Sequence, residues 1–150
     1  GSVKLRNPHS TRPWQHVLEP LGGYLNLAVS LSENLHLHSE PFNFGPSSRE
    51  NQSVLELVKT MAVYWDQVQW NDVLKPLDEP YESGLLKLNC DKALHHLNWS
   101  AVMDFKDTVR MTSEWYKVYY QDPDKISDLT NSQIIEYEAM AKDKGLRWAL

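Results

Sequence analysis

The stretch Arg12-Pro13-Trp14-Gln15-His16-Val17-Leu18-Glu19-Pro20-Leu21 holds the residue types and spacing best suited to chemistry. It follows the extended segment Val3-Lys4-Leu5-Arg6-Asn7-Pro8 and precedes a long apolar-periodic run. An arginine closing a strand, beside a large aromatic and ahead of a helix, suits anion capture. Strand and helix would hold rigid the cleft into which the guanidinium reaches. The plainer alternative is an exposed arginine beside a core tryptophan. Histidines offer a second chemistry, at His36 and His38 and in the pair His95-His96. Neither group has a further His or Cys at metal-ligand spacing, and Cys90 has no thiol partner. They read as surface or helix-end residues, and no metal site is expected.

Other catalytic patterns are missing. No G-x-S-x-G nucleophile elbow occurs. The six glycines form no G-x-x-G-x-x-G turn of the kind that cradles a dinucleotide pyrophosphate. The residues four past each tyrosine are Ala28, Val68, Leu85, Tyr120, Pro123, Asp124 and Ala141. None is the lysine that would lower a tyrosine's pKa for hydride chemistry on an alcohol. No catalytic residue is assigned to the chain. Trp115 with Tyr116, Tyr119 and Tyr120 could stack bases, but their helical spacing favours core packing.

The elements that must position these residues alternate. Val3 to Asn7 reads as a strand ended by the Asn7-Pro8 turn. Pro20 fits the first turn of a helix with apolar residues at Leu21, Tyr24, Leu25, Ala28, Leu31 and Leu35. Gly22 and Gly23 in that turn imply close backbone packing or plain tolerance near a helix start. Glu40 to Pro46 reads as a short strand with Phe42 and Phe44 on one face and Asn43 on the other. Ser53 to Glu56 is a capping box opening a helix through Leu55, Val58, Ala62 and Trp65. Gln67 to Val73 predicts an edge-like strand, Leu74 to Gly84 a loop, Leu85 to Asn89 a strand and Asp91 to Leu97 a short helix. Asp104 caps a helix carrying Phe105, Val109, Thr112, Tyr116 and Tyr119, which ends near Pro123. Thr130 to Gln133 reads as a second capping box and Gly145 as the stop of the last helix.

The pattern is a single small mixed α/β domain over residues 3–150, with Gly1-Ser2 read as a cloning scar. A chain of 150 residues with 41% hydrophobic content can build a core. Its net charge of −5 argues against general nucleic-acid binding, which needs a basic surface. One nucleotide held by one or two arginines remains compatible with that charge. The lone Cys90 allows no internal disulfide and points to a reducing compartment, hence the cytoplasm. No apolar run approaches the ~20 residues of a membrane span.

Arg12 to Leu21 with Gly23-Tyr24 resembles the RPWQHVLEPLxGY stretch of CDP-glucose 4,6-dehydratases. These are NAD-dependent extended short-chain dehydrogenase/reductase enzymes acting on sugar nucleotides. Phe42-Asn43-Phe44-Gly45-Pro46, Leu86-Lys87-Leu88-Asn89-Cys90-Asp91-Lys92-Ala93 and Leu97-Asn98-Trp99 agree in order and spacing. The resemblance runs over nearly the whole chain, but only over the C-terminal part of such an enzyme. It implies a substrate-binding domain whose Rossmann half, with the NAD site and catalytic tyrosine, lies outside this sequence.

By the same resemblance, Arg12 meets the diphosphate-nucleotide portion of a CDP-sugar, and Asn43 is a polar contact to it. Asn43 could equally be a strand-end amide bonding its own backbone. Arg6 is a candidate for base stacking or recognition. Glu82 is kept where the family reads Pro-His-Glu-Ala, while Tyr81 and Ser83 depart from it. Asn98-Trp99 stands where the family usually has Gly-Trp. The implied partners are a CDP-sugar and an N-terminal NAD-binding domain, in an enzyme that is a homo-oligomer with tightly bound NAD. No cofactor is expected on the chain itself. The competing expectation is a helix-rich protein-interaction module derived from this domain without a catalytic role.

Overall fold

A computed structural model of the chain describes residues 2–33, 35–72 and 84–149. Helices dominate. Strands β1 (Val3–Leu5), β2 (Thr11–Arg12), β3 (Gln52–Ser53) and β4 (Trp70–Asp72) form two separate two-stranded sheets. β1 pairs parallel with β4, Val3 opposite Trp70, and β2 pairs antiparallel with β3, Thr11 opposite Ser53. The helices are α1 (Leu18–Glu33), α2 (Val54–Tyr64), α3 (Asp91–Leu97), α4 (Phe105–Gln121) and α5 (Ile126–Asp143). The expectation of a small mixed α/β fold holds.

Helix α1 joins two apolar clusters. Its N-terminal Leu18 packs on Val102, Met103, Met111, Tyr137, Ala141 and Leu146. Further along, Leu27 and Leu31 pack on Leu37, Phe44, Ala93, Leu97 and Trp99. Close approach needs the two glycines. A Cβ at Gly22 would lie 2.9 Å from the Tyr137 hydroxyl, and one at Gly23 would run into the ring of Phe44. Close packing, rather than tolerance, accounts for both.

Caps follow local chemistry. Ser53 and Glu56 exchange the two bonds of a capping box at the start of α2. The Asp104 side chain accepts from the Asp107 N–H at the start of α4. Gly145, at φ +68°, lets the chain turn out of α5, and Leu146 N–H closes on Ala141 O at 3.0 Å.

Four expectations are corrected. Residues 40–46 form no strand. The carbonyls of Phe44 and Gly45 are taken by the side chains of Gln15 and Cys90, so no ladder forms there. Leu85 to Asn89 contributes only a bridge between Leu85 and Thr11. Thr130 to Gln133 lies inside α5, which has already begun at Ile126 after a 3-10 turn at Pro123–Lys125. There Thr130 and Ser132 donate back to Ile126 O and Asp128 O, and Gln133 reaches across to Met111 O. Tyr116, Tyr119 and Tyr120 are exposed, because α4 turns Thr108, Val109, Met111 and Ser113 inward. The loop expected at Leu74 to Gly84 lies almost wholly outside the described residues.

Candidate functional site

Arg12 ends β2, half-buried, and the sheet fixes its backbone opposite Gln52. Two residues on, the Trp14 indole N–H donates 2.9 Å to Gln52 O, locking the same stretch across the sheet. Arg12 Nη1 donates 2.8 Å to Thr11 O, so the guanidinium is held near its own strand. A guanidinium carries five N–H donors in a planar fork, the kind of group that an anion at a strand end would take. Arg12 is neither fully exposed nor next to a fully buried tryptophan, since Trp14 is half-buried too.

Asn43 is exposed in the irregular segment before Phe44. Its Nδ2 donates 3.2 Å to Asn89 O, a partner 46 residues away, so it does not bond its own backbone. One link ties its segment to that of Arg12: Gln15 Nε2 donates 3.1 Å to Phe44 O. A second segment closes the group, because Thr11 N–H donates 2.9 Å to Gly84 O. The structure therefore brings the Arg12 and Asn43 segments together with the one running from Gly84 to Cys90. Arg6 is exposed just past β1, in the other sheet. Glu82, with Tyr81 and Ser83, lies outside the described residues.

Sequence reasoning gave no role to Glu19, which is 1% exposed. Its carboxylate accepts from Val102 N–H at 2.9 Å, Met103 N–H at 2.6 Å and the Tyr137 hydroxyl at 3.2 Å. Burial pushes its pKa up, and the Met103, Val102 and Tyr137 donors pull the other way. Burial and the neighbouring Glu19 also push the Tyr137 phenol up. An acid in a helix's first turn ordinarily reads as a surface partner of the helix dipole, which is why this one stayed hidden. The usable signal was its place between Leu18 and Leu21 in an apolar run. His16 is buried as well, and burial lowers its pKa.

A cleft of about 890 Å³ lies elsewhere, lined by Leu21, Leu25 and Val29 of α1, His95 and His96 of α3, and Ile134 of α5. Arg12 and Asn43 are not among its lining residues. Two of its polar groups are already engaged, Asn26 with Leu97 O and Tyr137 with Glu19. With no arginine or lysine among the described residues of its lining, the cleft suits a diphosphate poorly. His95 and His96 are exposed in the last turn of α3, where a helix-end reading puts them. Among the described residues no three His, Cys, Asp or Glu side chains gather as a metal site, and no helix is long and apolar enough to cross a membrane.

The short strands and five helices among the described residues are consistent with a partial domain of the short-chain dehydrogenase/reductase kind. The chain matches the C-terminal part of a CDP-glucose 4,6-dehydratase. It is 37% identical over 125 residues, 83% of its length, to the CDP-glucose 4,6-dehydratase of Salmonella typhimurium. The matched region spans 34% of that enzyme's length. No protein-family model matches the chain.

Proposed function

We propose that this chain is the nucleotide-sugar-binding part of a cytoplasmic CDP-glucose 4,6-dehydratase. In this reading Arg12 holds the diphosphate, Asn43 adds a polar contact to the same portion, Arg6 faces the base and Glu82 lies beside the substrate. The 37% identity over 125 residues carries the reading. The fixed strand end at Arg12 supports it, since a planar fork on a rigid strand can meet phosphate oxygens in a charge-assisted way.

The reaction so implied oxidises carbon 4 of the sugar, eliminates water across carbons 5 and 6, and returns the hydride to carbon 6. The product is CDP-4-keto-6-deoxyglucose. NAD, held by a separate N-terminal domain, supplies the hydride acceptor. The residues of this chain bind and orient the nucleotide and perform no chemical step.

The outer side of α1 supports a role for that second domain. Val17, Leu21, Leu25 and Val29 are exposed at spacings of about one helical turn, Leu25 at 71% and Val29 at 59%. Interfaces between domains of one chain commonly bury roughly 600–1,500 Å², and a stripe of this kind is a fitting share of one.

The test is NMR titration of the chain with CDP-glucose, following residues 6, 12 and 43. Ordering the nucleotide costs several kcal/mol, so half a cleft should bind no tighter than about 1 mM. The shifts should weaken in Arg12→Ala and with added salt. Micromolar binding that survives Arg12→Ala would place the anion site elsewhere.

A further inference from the structure

Arg12 and Asn43 come from segments 31 positions apart in sequence, and no backbone ladder joins them. β2 pairs with β3 and bridges to Leu85, and residues 40–46 have no strand partner among the described residues. Gln15 makes the direct connection, beside the indirect one through the segment from Gly84 to Cys90. Its Nε2 donates 3.1 Å to the carbonyl of Phe44, the residue after Asn43, across 29 positions of sequence. Phe44 is itself fixed from inside. Its ring meets Trp99 edge-on at 4.9 Å between centroids and lies against Gly23. The Phe44–Gly45 peptide plane is thus pinned by core packing on one side and by Gln15 on the other.

The second observation is the other half of the same amide. Gln15 Oε1 is buried and, among the described residues, has no hydrogen-bond partner. A buried acceptor left unpaired is unfavourable, and a methionine of similar length would fill the space without it. Packing alone therefore does not explain a glutamine here; the donated bond does.

We infer that Gln15 is a positioning residue: it sets the separation of Arg12 and Asn43, and so the fit of a nucleoside diphosphate between them. The ligand half of this inference rests on the proposed substrate; the brace itself does not. With the bond gone, the Phe44–Gly45 peptide loses its direct tie to the strand end, and the 42–46 segment can adjust against Arg12 only as far as the Phe44 packing and the Asn43–Asn89 bond allow.

The experiment compares wild type with Gln15→Met, and with Gln15→Asn, whose shorter amide cannot reach Phe44 O. Without ligand, NMR signals of the Arg12 side-chain Nε–H and the Asn43 Nδ2 protons should move or broaden in both variants, while the Trp99 indole signal stays put. With CDP, affinity should fall about fivefold, the equivalent of one ordinary hydrogen bond, and more than any fall in melting temperature accounts for. Unchanged Arg12 and Asn43 signals in either folded variant would overturn the inference, as would unchanged CDP affinity. Should wild type fail to bind CDP at all, the substrate proposal falls, and the ligand-free signals still decide the brace.

Discussion

The two sides of α1 carry similar residues and meet different fates. Inward, Glu19 and Gly23 are buried, Gly22 lies under Tyr137, and Leu27 and Leu31 join the Phe44–Trp99 cluster. Outward, Leu21, Leu25 and Val29, with Val17 just ahead of the helix, form an exposed apolar stripe along the open cleft that α1 shares with α3 and α5. A helix apolar on more than one side is ordinarily covered on more than one side. The inner side owes its order to specific partners: a carboxylate with three donors, and glycines that admit an aromatic ring and a phenol. The outer side has bulk and, among the described residues, no such partner, which fits the proposal that further polypeptide packs there. Hydrophobicity alone does not separate a finished interface from an open one; the polar bookkeeping beneath it does.

Removing the inner partners should have the largest effects. Glu19→Ala strands the N–H groups of Val102 and Met103 and the Tyr137 hydroxyl in the core. At about 1–3 kcal/mol for each stranded group, partly relieved by water, the loss should be about 4 kcal/mol in urea unfolding. A loss below 1 kcal/mol would mean that the clasp is not what orders this side.

Gly23→Ala comes next. Its new methyl enters the space of the Phe44 ring, which Trp99 holds from the other side, and the expected cost is about 2 kcal/mol. Gly22→Ala should cost less, because the group it meets is the far end of Tyr137.

A pH effect sharpens the same contrast. His16 has a folded pKa below 6.5 because burial disfavours its charge. Below pH 6.5 the unfolded chain takes a proton that the folded chain refuses, so the contribution present above pH 6.5 is lost as pH falls through the folded pKa. Glu19 has the opposite sign. Its folded pKa lies above 4.5, so its contribution is largest below that value and declines as pH rises through the folded pKa. Melting curves from pH 6.5 downward should show a fall in wild type that flattens in His16→Asn. An equal fall in both would assign the effect to other groups.

On the outer side, Leu25→Ser should change stability by less than about 0.5 kcal/mol, as for other exposed positions. A loss near that of Gly23→Ala would show that the stripe is already packed within the chain.

Much of this architecture was legible in the sequence, and the misses share a cause. The capping boxes and stops that rest on neighbouring residues were readable at Ser53, Asp104 and Gly145. Thr130 to Gln133 has the same letters, yet it sits inside α5, because Gln133 reaches Met111 O and the helix already starts after Pro123. The tyrosines of α4 misled for a similar reason. Their spacing is helical, but with α2 and α5 both packed against α4 it is Val109 and Met111 that are buried. At the candidate site, Arg12 stood out because it ends a strand beside Trp14. Gln15 and Glu19 did not, since their partners Phe44, Val102 and Met103 lie 29 or more positions away and no local rule names them.

The difference between the two sides of α1 is tested most directly by sedimentation velocity over a rising concentration series, comparing wild type with the Leu25→Glu/Val29→Glu double variant. The account predicts reversible, concentration-dependent association of the wild-type chain, and a double variant that stays monomeric with unchanged stability. A wild-type chain that remains strictly monomeric at high concentration would contradict it.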